Sequence, residues 1–246
     1  MSRKPAYSRA RAAGFTLVEL AVVIVIISVL LGVVLTPLAT RMQMQQVRDQ
    51  QRALDDIRDA LLGFAQSQGR LPCTDTTGDG LEDGACATVG ELPYATLGIM
   101  PTDRWGRRYV YAVSPQMVLQ VRTGEPPGNP AALDLEDTGT LTLNERLSDK
   151  SQRLITDSAA AIVVSLGSNG FGGTDLDGNT LPAPTGTDEL ENIDGNTPFM
   201  TRIRTEGGSG CDDTAGVSPL CEFDDLVVMI PTPLLLGRLV QAGRLP

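Results

Sequence analysis

Histidine is absent from the 246 residues. With it go the commonest general base and the commonest transition-metal ligand. Neither a Ser-His-Asp triad nor a Cys-His nucleophile can be built. Aromatic residues are scarce at 4%, so the core must lean on Val, Leu, Ile and Ala. Phosphate-binding and dinucleotide-binding glycine loops are missing. The stretch "VVSLGSNG" at 163–170 is not a G-x-S-x-G nucleophile elbow. Carboxylate-only catalysis stays open in principle, but no pair of acids is singled out by spacing. Positive charge is also short, 20 Lys and Arg against 30 Asp and Glu, a net charge of −10. The charges before Phe15 are all positive (Arg3, Lys4, Arg9 and Arg11), and without those four the remainder carries −14. Such a surface does not attract nucleic acid or anionic lipid. Divalent cations and basic partners are its electrostatically sensible neighbours.

Cysteine is sparing but patterned. Cys73 and Cys86 form one local pair, Cys211 and Cys221 another, and neither spacing fits a zinc knuckle. Three disulfide pairings are possible, of which the two local loops are the simplest. Both pairs sit in polar loops rich in Gly and Asp, and an N-terminal export segment implies an oxidising destination.

That segment is the longest apolar run in the chain. From Phe15 to Ala39 there are 25 residues, broken by the acid Glu19. As a helix the run would span about 37 Å, enough to cross a bilayer core with some tilt. Basic residues before it and an acidic bulk after it place the N-terminus in the cytoplasm. The run is too long for a secretory signal peptide and no A-x-A site follows it. A plain single-pass anchor accounts for length and orientation. It does not account for Glu19, since a carboxylate in hydrocarbon is costly and marks a functional position.

The segment "AAGFTLVELAVVIVIISVLLGVV" resembles the class III signal of type IV pilins and type II secretion pseudopilins. The resemblance implies that a prepilin peptidase cuts between Gly14 and Phe15, that Phe15 is then methylated, and that Glu19 is the acid at the fifth mature position. It also implies a subunit of the bacterial inner membrane, single-pass, with its N-terminus cytoplasmic and its head periplasmic, later part of a pilus or pseudopilus. The physics agrees with that expectation. In a bundle of such helices Glu19 of one subunit can neutralise the Phe15 ammonium of a neighbour, and a subunit inserted at the wrong height leaves both charges buried and unpaired.

Four domains are expected: a leader over 1–14, a transmembrane helix over 15–40, an amphipathic helix over 41–69 and a globular head over 70–246. Pro37 should kink or locally melt the first helix. Val47, Leu54 and Leu61 recur every seven residues, with Ile57 and Phe64 as a companion row, which makes a one-sided apolar stripe. Residues 41–52 read as exposed helix, and Gly69 as the stop. After Gly69 the composition turns to Gly, Asp, Thr and Pro. Strands are expected at 108–113, 117–121, 160–166 and 226–230, a short helix at 146–158, and a Pro-initiated helix at the C-terminus. The expected fold class is α+β, with a long N-terminal helix packed on a small antiparallel sheet with long loops.

Two further motifs, "DRWGRRYVY" at 103–111 and "IVVSLGSNGFGG" at 162–173, resemble the major pseudopilin of type II secretion. Read from the residues, Trp105 is a core plug, Gly106 permits a tight turn, and 167–173 supplies positive-φ positions. This chain departs from the pattern in its cysteines, in Asn169 where an Asp is usual, and in an insertion around 175–185. The resemblance implies a calcium ion held near the turn, with Leu166, Ser168 and Asp188 the best-aligned ligands. A second, looser calcium-loop match offers Asp75 and Asp79, set against a plain Asp-Gly turn inside a disulfide loop. The expected function is that of a structural, non-enzymatic prepilin-like subunit. Its partners would be prepilin peptidase, other pilin subunits, an inner-membrane assembly platform and, in one version, secreted substrates, with no nucleic acid. The alternatives are a membrane-anchored binding module, an adhesin or substrate receptor, and a tethered carboxylate-only hydrolase.

Overall fold

The computed structural model describes residues 16–119, 133–214 and 216–245, with backbone alone over 33–40. The chain divides into two units, Met1–Val47 and Arg48–Pro246. A single helix, α1 (Leu17–Gln68), supplies the described part of the first and opens the second. In the first unit Thr16 caps α1: its hydroxyl accepts the backbone N–H of Glu19 at 3.2 Å. Apolar side chains from Leu17 to Leu31 are exposed. The helix runs on through Pro37, where the sequence suggested local melting.

In the second unit the strands are β1 (Val89–Glu91), β2 (Val110–Val113), β3 (Leu141–Arg146), β4 (Gln152–Ser165), β5 (Phe199–Thr201), β6 (Thr205–Glu206), β7 (Glu222–Phe223) and β8 (Leu226–Pro231). Helices α2 (Tyr94–Leu97), α3 (Thr187–Glu191) and α4 (Thr232–Gln241) lie between and after them. The main sheet runs β1-β2-β4-β3-β5, with β8 also paired to β4. All its pairings are antiparallel except β3 with β5, so the expected antiparallel sheet is mixed. β6 and β7 form a separate antiparallel ribbon.

β4 is the organising strand. Its second half, "AAAIVVS", is buried throughout because both faces are covered, which is why it reads as a continuous apolar run. Ala161 and Val163 pack with Leu54, Ile57, Leu61 and Ala65 of α1 and with Leu235 and Leu239 of α4. Ile162 and Val164 point the other way, to Leu141, Leu143 and Phe199. Leu54, Ile57 and Leu61 of the predicted apolar stripe are thus on the face α1 turns to the sheet, and Phe64 is partly covered. Midway along it, buried Gln50 donates to the Tyr109 hydroxyl at 3.0 Å and accepts the Arg104 N–H at 2.9 Å. The helix ends at Gly69 (φ 77°). There Arg244 donates to the carbonyls of Gln66 and Ser67, satisfying acceptors that a helix C-terminus leaves open.

Three local expectations are corrected. Residues 146–158 are not helical: β3 ends at Arg146, a turn with Lys150 at positive φ reverses the chain, and β4 begins at Gln152. The β-branched content of "RLITD" and its pairing with β3 decide in favour of strand. The 117–121 stretch is a 3₁₀ turn over Pro115–Val118, begun by a proline whose fixed φ suits such a turn. Residues 120 and 121 lie outside the described residues. Trp105 is only half-buried, and Tyr111 fills the core position instead. Gly106, with φ 81°, does make the turn.

Candidate functional site

Register brings three acids together at one end of the sheet. Ser165, the last residue of β4, pairs with Leu226, the first of β8. The glycine turn that leaves β4 therefore lies beside Asp224 and Asp225, which lead into β8. Helix α3 brings Glu189 to the same place. Glu189, Asp224 and Asp225 are buried, and each offers a carboxylate oxygen within 4.8 Å of the others.

The surrounding donors hold these acids without neutralising them. Asp224 Oδ2 accepts the Ser168 N–H (2.9 Å), the Ser168 hydroxyl (2.5 Å) and the Asn169 N–H (3.2 Å). Its Oδ1 is buried with no hydrogen-bond partner. Glu189 Oε1 accepts from the Asn169 amide at 3.1 Å and from the Asp224 N–H at 3.1 Å. Asp225 Oδ2 accepts from the Asn192 amide at 2.8 Å. Burial pushes Glu189 up to about 7, with the Asp224 and Glu222 charges adding to the effect and the Asn169 and Asp224 hydrogen bonds opposing it. Burial likewise drives Asp225 well above the usual carboxylate range. Asp225 also lines a cavity of about 370 Å³ with Gln51, Asp55 and Arg202.

Gly167 is required by this arrangement. It has φ 65°, and a Cβ there would lie 2.0 Å from Asp224 Oδ1. Gly167→Ala is expected to destabilise the head by at least about 2 kcal/mol, since a left-handed alanine and the displaced carboxylate both cost free energy. Urea unfolding monitored by circular dichroism checks this.

The residues singled out from sequence fall in different places. Leu166 and Ser168 are on the turn at the cluster, the latter bonded to Asp224. Asp188 is adjacent in sequence but faces away. Its carboxylate is buried between Arg146 (2.6 Å) and Arg202 (3.0 Å), so two guanidiniums already compensate its charge. The candidate ligand on α3 therefore shifts from Asp188 to Glu189. Asp75 is saturated by its own loop: Oδ1 accepts the N–H groups of Thr77 and Gly78, and Oδ2 that of Gly80. Asp79 caps the Leu81 N–H. The Asp-Gly turn is thus a closed hydrogen-bonded unit. Cys73 is bonded to Cys86, and Cys211 to Cys221. Sequence reasoning passed over Asp224 and Asp225, although an acidic doublet directly before the apolar run "LVVMI" was a visible signal.

Three carboxylates, one with an unpartnered buried oxygen, could hold a metal ion. With no histidine in the chain and the four cysteines in disulfides, the donors are oxygen alone, which suits a hard cation.

At the other end of the chain, Glu19 sits in the first turn of α1, where the helix dipole favours an anion. Thr16 and Glu19 have the T-x-x-E spacing of a capping box, and its N-cap half is formed. Residues 9–35 match the family model for the prokaryotic N-terminal methylation motif. The chain carries the signature of type IV pilin and pseudopilin prepilin-like proteins. This prepilin-type motif implies processing by prepilin peptidase and assembly with other pilins. It covers Gly14, Phe15 and Glu19, the first two of which lie outside the described residues. Among the described residues no helix is long and apolar enough to cross a membrane. No curated protein and no solved structure matches the chain.

Proposed function

We propose that the chain is a structural subunit of a type II secretion pseudopilus or a type IV pilus. It is cut between Gly14 and Phe15, methylated at Phe15 and assembled through α1, and it catalyses no reaction itself. Before assembly it sits in the inner membrane with the head on the periplasmic side, delivered to the filament by an inner-membrane platform. The observation that carries this reading is the methylation motif at 9–35, with Glu19 in the first turn of a 52-residue helix. The turn motif lying against an acid cluster supports the pseudopilus version, as does the rarity of apolar side chains on the loops that the cluster ties together. In that version the cluster holds calcium through Glu189, Asp224 and Asp225. Calcium would supply charge neutralisation and cross-link the turn, α3 and the start of β8.

The test is the mass of the mature N-terminal peptide from protein purified from its native membrane. The expected peptide begins at Phe15 and carries one methyl group. A mature protein that keeps residues 1–14 would overturn the reading and leave a tethered head.

A further inference from the structure

We propose that the Cys211–Cys221 disulfide controls the carboxylate cluster, which holds a cation in the oxidised chain and releases it when a dithiol reduces that bridge. The inference rests on the cation reading above. Reduction passes two electrons and two protons from the dithiol to the bridge, giving two thiols here and a disulfide on the reductant.

Cys221 is fastened to both halves of the cluster. On one side it leads through β7 into Asp224 and Asp225, the next residues along the chain. On the other its backbone is part of the clamp behind α3. The Cys221 N–H donates to Asp213 Oδ1 at 2.9 Å. Its carbonyl accepts from Arg202 Nη2 at 2.8 Å and from the Thr205 hydroxyl at 2.5 Å. Arg202 in turn donates to Asp213 at 2.7 Å and pairs with Asp188 at 3.0 Å, next to Glu189. Asp213 Oδ2 also meets the Asp188 N–H at 3.4 Å. Burial raises the Asp213 carboxyl, but the Cys221 N–H and the Arg202 guanidinium outweigh it and hold the group below the usual range. The contact is close-packed as well: a Cβ on Gly186, at the N-terminus of α3, would lie 2.9 Å from Asp213 Oδ2 and 3.0 Å from Cys221 Cβ.

The bridge therefore closes a ten-residue separation whose two ends set where α3 and Asp224 stand relative to each other. Opened, the loop carrying Asp213 regains chain entropy. Arg202 then loses an acceptor and a buried anion, and α3 loses its backing. Without that frame nothing holds Glu189, Asp224 and Asp225 with their carboxylate oxygens within 4.8 Å of one another, the spacing a cation needs. The second disulfide is a built-in control. Cys73–Cys86 encloses Asp75, Glu82 and Asp83, and its Cys73 N–H binds Glu82. None of these belongs to the cluster.

The experiment uses the full mature chain in detergent, with calcium as the probe. Calorimetric titration compares the oxidised chain with a Cys211→Ser/Cys221→Ser pair and a Cys73→Ser/Cys86→Ser pair. The first pair is expected to weaken calcium binding at least about tenfold, the second by less than about threefold. A second measurement needs no variant and so survives misfolding of either pair. A dithiol is added to the wild-type chain with and without calcium, and free thiols are alkylated over time and mapped by mass. Because linkage is reciprocal, saturating calcium is expected to slow reduction of Cys211–Cys221 at least about tenfold and leave Cys73–Cys86 unchanged. Calcium binding by the oxidised chain with no such protection and no loss in the first pair overturns the redox coupling alone. No calcium binding by the oxidised chain overturns the cation reading and the coupling with it.

Discussion

With its cation chelated, the head is expected to lose stability as pH rises from about 4.5 to about 7, and to recover it when calcium is returned. The cause is the desolvated Glu189, whose carboxyl stands near 7 in the folded chain against 4.5 ordinarily. Between those values the folded state keeps a proton that the unfolded state releases, so folding is progressively disfavoured as pH rises. Below about 4.5 both states are protonated and the stability is full. Above about 7 both are ionised and the loss is complete, at about 3 kcal/mol from Glu189 alone. Glu189 is 2% exposed, so solvent screening takes little from that figure. Asp225, raised by the same burial, acts in the same direction. Glu82, held low chiefly by its hydrogen bonds with Arg70, acts oppositely, but its contribution is already present above the ordinary glutamate range. On the proposed cation reading, calcium would replace the proton as the counter-charge and remove the slope. Melting temperature against pH, with chelator and with calcium, reads this directly. Glu189→Gln should remove the Glu189 part of the slope from the chelated profile, leaving that of Asp225, and weaken the calcium response. Superimposable profiles with and without calcium would argue that no cation belongs in the cluster.

The fold was legible where one segment carries its own reason. β2 and β8 announce themselves by β-branched and aromatic residues, and α4 by Thr-Pro ahead of an apolar run. The stripe Leu54, Ile57, Leu61 declares which face of α1 is covered. What failed depends on distant partners. "RLITD" is exposed in β4 except for the partly covered Thr156, and it passes for a helix until β3 pairs with it, through two register shifts. β5 has three residues, and nothing local says that it joins β3 in parallel. The site divides in the same way. The glycine turn was legible because positive φ is written into Gly167, Gly170 and Gly172. The choice between Asp188 and Glu189 was not, since it is made by Arg146 and Arg202, remote in sequence from α3, which claim the first and leave the second for the cluster.

Replacing Glu19 with alanine is expected to spare cleavage and membrane insertion yet cut incorporation into filaments at least about a hundredfold. The magnitude follows from leaving a buried amino-terminal charge without its partner, a cost of about 3–5 kcal/mol. Two roles of Glu19 have to be separated. Locally it is an acid in the first turn of α1, with its N–H capped by Thr16, and a favourable dipole interaction there stabilises the helix by about 0.3–1 kcal/mol. Between subunits it would be the counter-charge that fixes register. Thr16→Ala weakens only the first role. Glu19→Gln keeps a helix-former of the same shape but removes the charge needed for the second. Immunoblots of the sheared-filament and membrane fractions distinguish the two. Assembly close to wild type in Thr16→Ala, with loss in both Glu19 variants, identifies the pairing as intersubunit. Near-normal filaments from Glu19→Gln would refute the register role, because shape without charge would then suffice.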